Sequence, residues 1–79
     1  MSNSTDQFRI VGEALFGPAW QRELGRRLNV NERQIRRWAS GEYEPPPGVW
    51  ADIAAMCVEQ SEKLAAMAEL CITNQTAES

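Results

Sequence analysis

Residues 21–40 read QRELGRRLNVNERQIRRWAS. Within this stretch the apolar residues are Leu24, Leu28, Val30, Ile35 and Trp38, and Trp20 precedes them at the same four-residue step as Leu24 and Leu28. Steps of three and four place side chains on one face of an α-helix. The spacing therefore predicts two short helices, one over residues 18–28 and one from Asn31 to about Ser40. Asn29-Val30 interrupts the period, and Asn tolerates the left-handed backbone that a tight turn between helices requires. Asn31 is a good N-cap, with Gln34 three positions on as its reciprocal partner. Gly41 suits the end of the second helix.

The flanks extend the helical reading in both directions. Ser4 and Gln7 have capping-box spacing and open a helix that runs to about Phe16, with Phe8, Val11 and Leu15 on its buried face. Gly17-Pro18 punctuates the chain, and Pro18 fits the first turn of the following helix. Residues 42–47 contain three successive prolines, which favour a stiff extended connector. A last helix then starts at Pro47 or Gly48 and reaches about Ile72. In it Trp50, Ile53, Cys57, Leu64, Met67 and Cys71 fall at alternating three- and four-residue steps, with Gln60 filling the one gap. At 1.5 Å per residue such a helix is about 36 Å long. The expected fold is all-α: a compact four- to five-helix domain over residues 5–72, between a flexible N-terminus at residues 1–4 and a disordered tail at residues 73–79. Residues 48–72 form its long C-terminal helix.

Composition narrows the function. The chain has 79 residues, 43% of them hydrophobic and 24% charged, as in an ordinary soluble domain. There is no apolar run of the ~20 residues a membrane span needs. The start of the sequence has neither the basic residues nor the apolar stretch of a secretory signal. These features predict a cytoplasmic protein without a membrane partner. Histidine is absent, and with it the commonest general base and zinc ligand. No paired carboxylate cleft, nucleophile–base set or glycine-rich phosphate loop is present, so catalysis, metal and cofactor are not expected. The two cysteines, Cys57 and Cys71, are 14 residues apart. One helix would hold them about 21 Å apart, too far to bridge within the chain, and the expectation is two packed thiols, the alternative being a cross-link between two copies in a dimer.

Charge is distributed unevenly. The net charge is −3, yet six of the eight basic residues are arginines between positions 22 and 37: Arg22, Arg26, Arg27, Arg33, Arg36 and Arg37. Only Glu23 and Glu32 oppose them there, a local balance of +4 against −7 for the remainder. A basic pole on an acidic body steers a polyanion by its local field, whatever the net charge.

Residues 21–40 resemble the helix-turn-helix of lambda-repressor-like, Cro/CI-type DNA-binding proteins. That motif asks for apolar residues where Leu24, Leu28, Val30, Ile35 and Trp38 stand. It also asks for a small residue at Gly25, where the two helices cross. The turn, usually glycine, is Asn29 here. The resemblance covers 20 residues and implies that the second helix enters the major groove of double-stranded DNA. It places Glu32 and Arg33 at the main base-reading positions, with Arg37 one turn further on. The arginine fork matches the O6 and N7 acceptors of guanine, which suits Arg33 and Arg37. Glu32 accepts from a cytosine amino group or else orients an arginine, and Gln34 reads adenine or else caps its helix. Gln21, Arg22, Arg26, Arg27, Asn31 and Arg36 are expected at phosphates, with Ser40 and Tyr43 as further backbone contacts. Arg26 or Arg27 could instead pair with Glu23 along the helix.

A module of this size reads few bases, so the resemblance implies a symmetric homodimer on an inverted repeat, its half-sites about 34 Å apart. Leu64, Met67, Ala68, Cys71 and Ile72 form the expected dimer stripe, unless the last helix folds back onto the first and buries it. The implied activity is transcriptional repression by occupying a promoter. Small phage, prophage and mobile-element repressors, including autoregulators encoded beside anti-CRISPR genes, have a similar spare architecture. The alternative is a protein-interaction module, an antitoxin or an inhibitor of a host protein, using the acidic surface of Glu59, Glu62, Glu69 and Glu78.

Overall fold

A computed structural model describes residues 4–77. Among these residues there is no strand, and four α-helices follow one another: α1 Ser4–Phe16, α2 Trp20–Leu28, α3 Glu32–Ser40 and α4 Pro47–Ala77. A single 3-10 turn, Gly17–Ala19, joins α1 to α2. Gly17 takes φ +75°, and Pro18 fixes the tight turn that follows. The second helix thus begins two residues later than Pro18 would suggest. The capping box expected of Ser4 and Gln7 depends on the Ser4 side chain, which lies outside the described residues, as do residues 1–3 and 78–79.

Local chemistry explains both ends of the α2–α3 pair. Asn29 is left-handed at φ 59° and ψ 45°. Its N–H reaches the Arg26 carbonyl at 3.3 Å, and the Val30 N–H reaches the Gly25 carbonyl at 2.8 Å. This is a Schellman closure with asparagine in the glycine position. The Asn31 side chain caps α3 by accepting from the Arg33 N–H at 2.8 Å. The reciprocal bond from Gln34 does not form; its backbone N–H donates instead to the Asn31 carbonyl at 2.9 Å. At the far end Gly41 adopts φ 87°, and the Glu42 N–H returns to the Arg37 carbonyl at 3.1 Å, a second Schellman closure. Ser40 Oγ donates to the same carbonyl.

Two buried glycines allow the helices to approach closely. A Cβ on Gly25 would stand 2.8 Å from the Val30 carbonyl oxygen and 3.5 Å from Ile35 Cγ1. The small residue is required because the turn folds its backbone back onto α2. On α1, a Cβ at Gly12 would run into the Trp20 indole.

The core consists of Phe8, Trp20, Leu24, Ile35, Trp38 and Ile53. Val11, Leu15, Leu28, Val30 and Trp50 cover its edges. Phe8 is its hub, fully buried and meeting Trp20, Trp38 and Trp50 edge-on at centroid distances of 5.5, 6.1 and 5.8 Å. One indole from each of the other three helices therefore packs on one ring, a geometry the aromatic quadrupole favours.

The connector is extended as expected, with Pro45 buried, and the Pro46 carbonyl accepts the first bonds of α4 from Val49 and Trp50. The last helix has 31 residues, so the tail expected to be disordered is helical to Ala77. Among the described residues its first half is what packs on the rest of the chain: Val49, Trp50, Ile53 and Met56 pack on the core, and the Gln60 amide donates to the Leu15 carbonyl at 3.2 Å. From Ser61 to Gln75 every residue is exposed. The helix does not fold back, and it gives the molecule dimensions of 54 × 30 × 21 Å and a radius of gyration of 15.9 Å. A compact chain of this length would have about 11.6 Å, so the expectation of compactness fails. The expectation of packed thiols fails for the same reason: Cys57 and Cys71 are both exposed, because no element covers that part of α4. No helix among the described residues is long and apolar enough to cross a membrane.

Candidate nucleic-acid interface

On α3, Ile35 and Trp38 point into the core while Gln34 and Ala39 lie at its margin. The opposite face carries Arg33 at its centre, with Arg36 and Arg37 on either side and Ser40 a further turn along; all four are exposed. Burial of the isoleucine and tryptophan thus fixes where the arginines point. Gln34 is half-buried, and its side chain makes no cap here. Asn31 is exposed, but its Oδ1 is committed to the cap.

Across the turn, Arg22, Gly25, Arg26, Asn29, Val30, Asn31 and Glu32 line an open groove of about 370 Å³. A smaller depression beside it is bounded by Pro18, Ala19, Gln21, Arg22 and Glu32. The groove runs between the outer side of α2 and the N-terminal end of α3, where the peptide dipoles present partial positive charge. Arg22 and Arg26 stand on its rim, so the start of α2 and the start of α3 offer one positively charged concavity.

The six arginines differ in how they are held. Arg26 pairs with Glu23 at 3.6 Å, the i, i+3 contact that the helix spacing allows. Arg36 Nη1 donates to Glu32 at 3.3 Å. This is an exposed i, i+4 pair along α3. Arg27 reaches over to Glu59 of α4 at 3.2 Å. Arg37 lies 3.9 Å from Glu42, with its guanidinium 5.9 Å from the centre of the Tyr43 ring. Arg22 and Arg33 enter no ion pair among the described residues.

Sequence reasoning missed three of these partners. Glu59 is 32 residues from Arg27, and only the packing of α4 brings it there. Glu42 and Tyr43 reach Arg37 because the Gly41 closure turns the chain back along α3. The reversal was legible from the glycine, but the target was not. Among the described residues no group of three or more His, Cys, Asp or Glu side chains is arranged to hold a metal ion. No protein-family model matches the sequence, and no curated protein or solved structure gives a significant match.

Proposed function

We propose that this protein is a cytoplasmic, non-enzymatic, sequence-specific DNA-binding regulator: a homodimeric repressor that reads an inverted repeat in the major groove. The observation that carries this reading is the outward face of α3, built of exposed Arg33, Arg36 and Arg37 beside the arginine-rimmed groove, on a chain whose remainder is acidic. Residues 21–40 act as a helix-turn-helix, with α3 as the recognition helix. Arg33, central and without a carboxylate partner, is the principal guanine reader. Arg37 reads once it leaves Glu42. Arg22 is the principal phosphate contact, supported by Gln21, Arg26 and the Asn31 amide. Glu32 works through Arg36. Arg27 contributes less, because Glu59 already holds it. Two copies join through Leu64, Met67, Ala68, Cys71 and Ile72.

The test is binding to the duplex just upstream of the protein's own gene, compared with a scrambled duplex, over a range of salt. Sequence-dependent binding that weakens steeply with salt is expected, since each phosphate neutralised releases counterions. Equal, weak binding to both duplexes would overturn autoregulation. It would favour the second reading, a protein-interaction module, for which the exposed apolar and acidic length of α4 is the supporting observation.

A further inference from the structure

The C-terminal half of α4 extends about 25 Å beyond the last residue that touches the domain, at 1.5 Å per residue over residues 61–77. On it Leu64, Met67 and Ile72 are 58%, 47% and 60% exposed. At 100° per residue, Leu64, Met67 and Cys71 lie on the same side of the helix as Ile53, Met56 and Gln60. The face buried against the domain in the first half of α4 thus continues, uncovered, along the second. Along this length the carboxylates Glu62 and Glu69 fall on the opposite side of the helix; Asp52 and Glu59, nearer the domain, stand at the edge of the face, and Lys63 flanks it. Two copies can therefore bring this face together without opposing carboxylates, whereas a basic partner would meet Lys63 at its edge and no acid on the face itself.

We propose that a second copy of this chain occupies this face with its α4 antiparallel. The inference rests on the homodimer of the functional reading but not on DNA binding. The direction follows from sterics. α4 is one continuous helix, and alongside residues 50–60 its inner face is already filled by the core and by α1, through Trp50, Ile53, Met56 and the Gln60–Leu15 bond. A parallel partner in register would have to run through that same space. A parallel partner displaced along the axis escapes the clash but gives a head-to-tail contact that does not close into a two-fold dimer. In the antiparallel arrangement each helix end stops beside the other copy's domain, and the two domains sit at opposite ends of the pair. The small side chain of Ala68 lets the backbones approach near the middle of the stripe.

Two measurements on the full chain test this. The first is sedimentation of the wild type with and without the thiol oxidant diamide. With Ala68 at the crossing of the antiparallel pair, Cys71 stands about 9 Å along the axis from its own copy, and Cys57 about 12 Å from the partner's Cys71, at 1.5 Å per residue. Both exceed the ~7 Å reach of a disulfide, so a non-covalent dimer is expected that diamide leaves uncross-linked. The second is a spin-label distance from Asp52→Cys in a Cys57→Ser, Cys71→Ser background, after sedimentation has shown that this variant still pairs. With α4 antiparallel the two labels stand about 40 Å or more apart along the axis, at 1.5 Å per residue. A diamide link between the two copies of Cys71, or a label separation under about 30 Å, would mean a parallel pair and overturn the arrangement while leaving dimerisation intact; a link between Cys57 and Cys71 would itself mean an antiparallel pair, crossing nearer Leu64. A wild type that remains monomeric at high concentration would overturn pairing on this face altogether. Operator binding, assayed separately, would then decide whether the DNA reading fails with it.

Discussion

At the scale of single residues, two helical glycines predict opposite outcomes for one substitution. Gly25→Ala drives a Cβ to 2.8 Å from a backbone carbonyl that cannot move without opening the turn. It should destabilise the fold by roughly 1–3 kcal/mol. Gly48→Ala meets nothing within 4 Å and should stabilise by about 0.4–1 kcal/mol, since alanine narrows the unfolded ensemble. Urea midpoints of the two variants check both signs. The arginines separate in the same way. Arg33→Ala should cost about 1–3 kcal/mol on the preferred duplex and relax discrimination at one base pair. Arg22→Ala should weaken matched and scrambled duplexes alike. Equal losses from both changes, measured by titration, would dissolve the distinction between reader and clamp. The sequence singled out all six arginines but ranked Arg37 beside Arg33. Among the described residues Arg33 enters no ion pair, while Glu42 and Tyr43 flank Arg37, and the proposed function gives Arg33 the leading role on that ground.

At the scale of elements, α2 and α3 were the most legible part of the chain, because asparagine and glycine sit where backbone bonds need them. Asn29 in the left-handed region, Asn31 at the cap and Gly41 at the closure each follow from local chemistry alone. Asn31→Ala should remove about 0.5–2 kcal/mol through the lost cap, seen as a lower urea midpoint with unchanged slope. The register of α4 was equally plain, since its three- and four-residue steps identify one face. What such a pattern does not encode is the element lying against that face. Periodicity therefore suggested packed cysteines, and a helix that outruns its domain leaves them bare. The Arg27–Glu59 bridge was hidden for the same reason. Both of its side chains are about half exposed or more, so the pair is worth at most about 1 kcal/mol. Glu59→Gln should leave the thermal midpoint nearly unchanged while releasing Arg27 and tightening DNA binding at low salt. Unchanged affinity in that titration would remove Arg27 from the interface.

At the scale of the whole molecule, the chain divides into a helical head with one core and a long helix that leaves it. Residues 61–75 are exposed along their whole length within one copy, and an isolated helix of that length is marginal in water. Pairing should therefore raise the thermal midpoint as protein concentration rises, a dependence that Leu64→Glu together with Met67→Glu should abolish. The head depends on a smaller feature. Phe8 is the one side chain shared by α2, α3 and α4 through their three tryptophans. Phe8→Ala should cost about 3–5 kcal/mol, much of the ~5–15 kcal/mol that holds a domain together. Because every indole in the chain is seated around that ring, the folded head has a built-in optical reporter. Near-ultraviolet circular dichroism and tryptophan fluorescence report the same asymmetric cluster, so on unfolding the dichroism should be lost as the emission shifts to longer wavelength, in one transition. Fraying of the far end of α4, which carries no aromatic residue, should be silent in both and visible only in far-ultraviolet ellipticity.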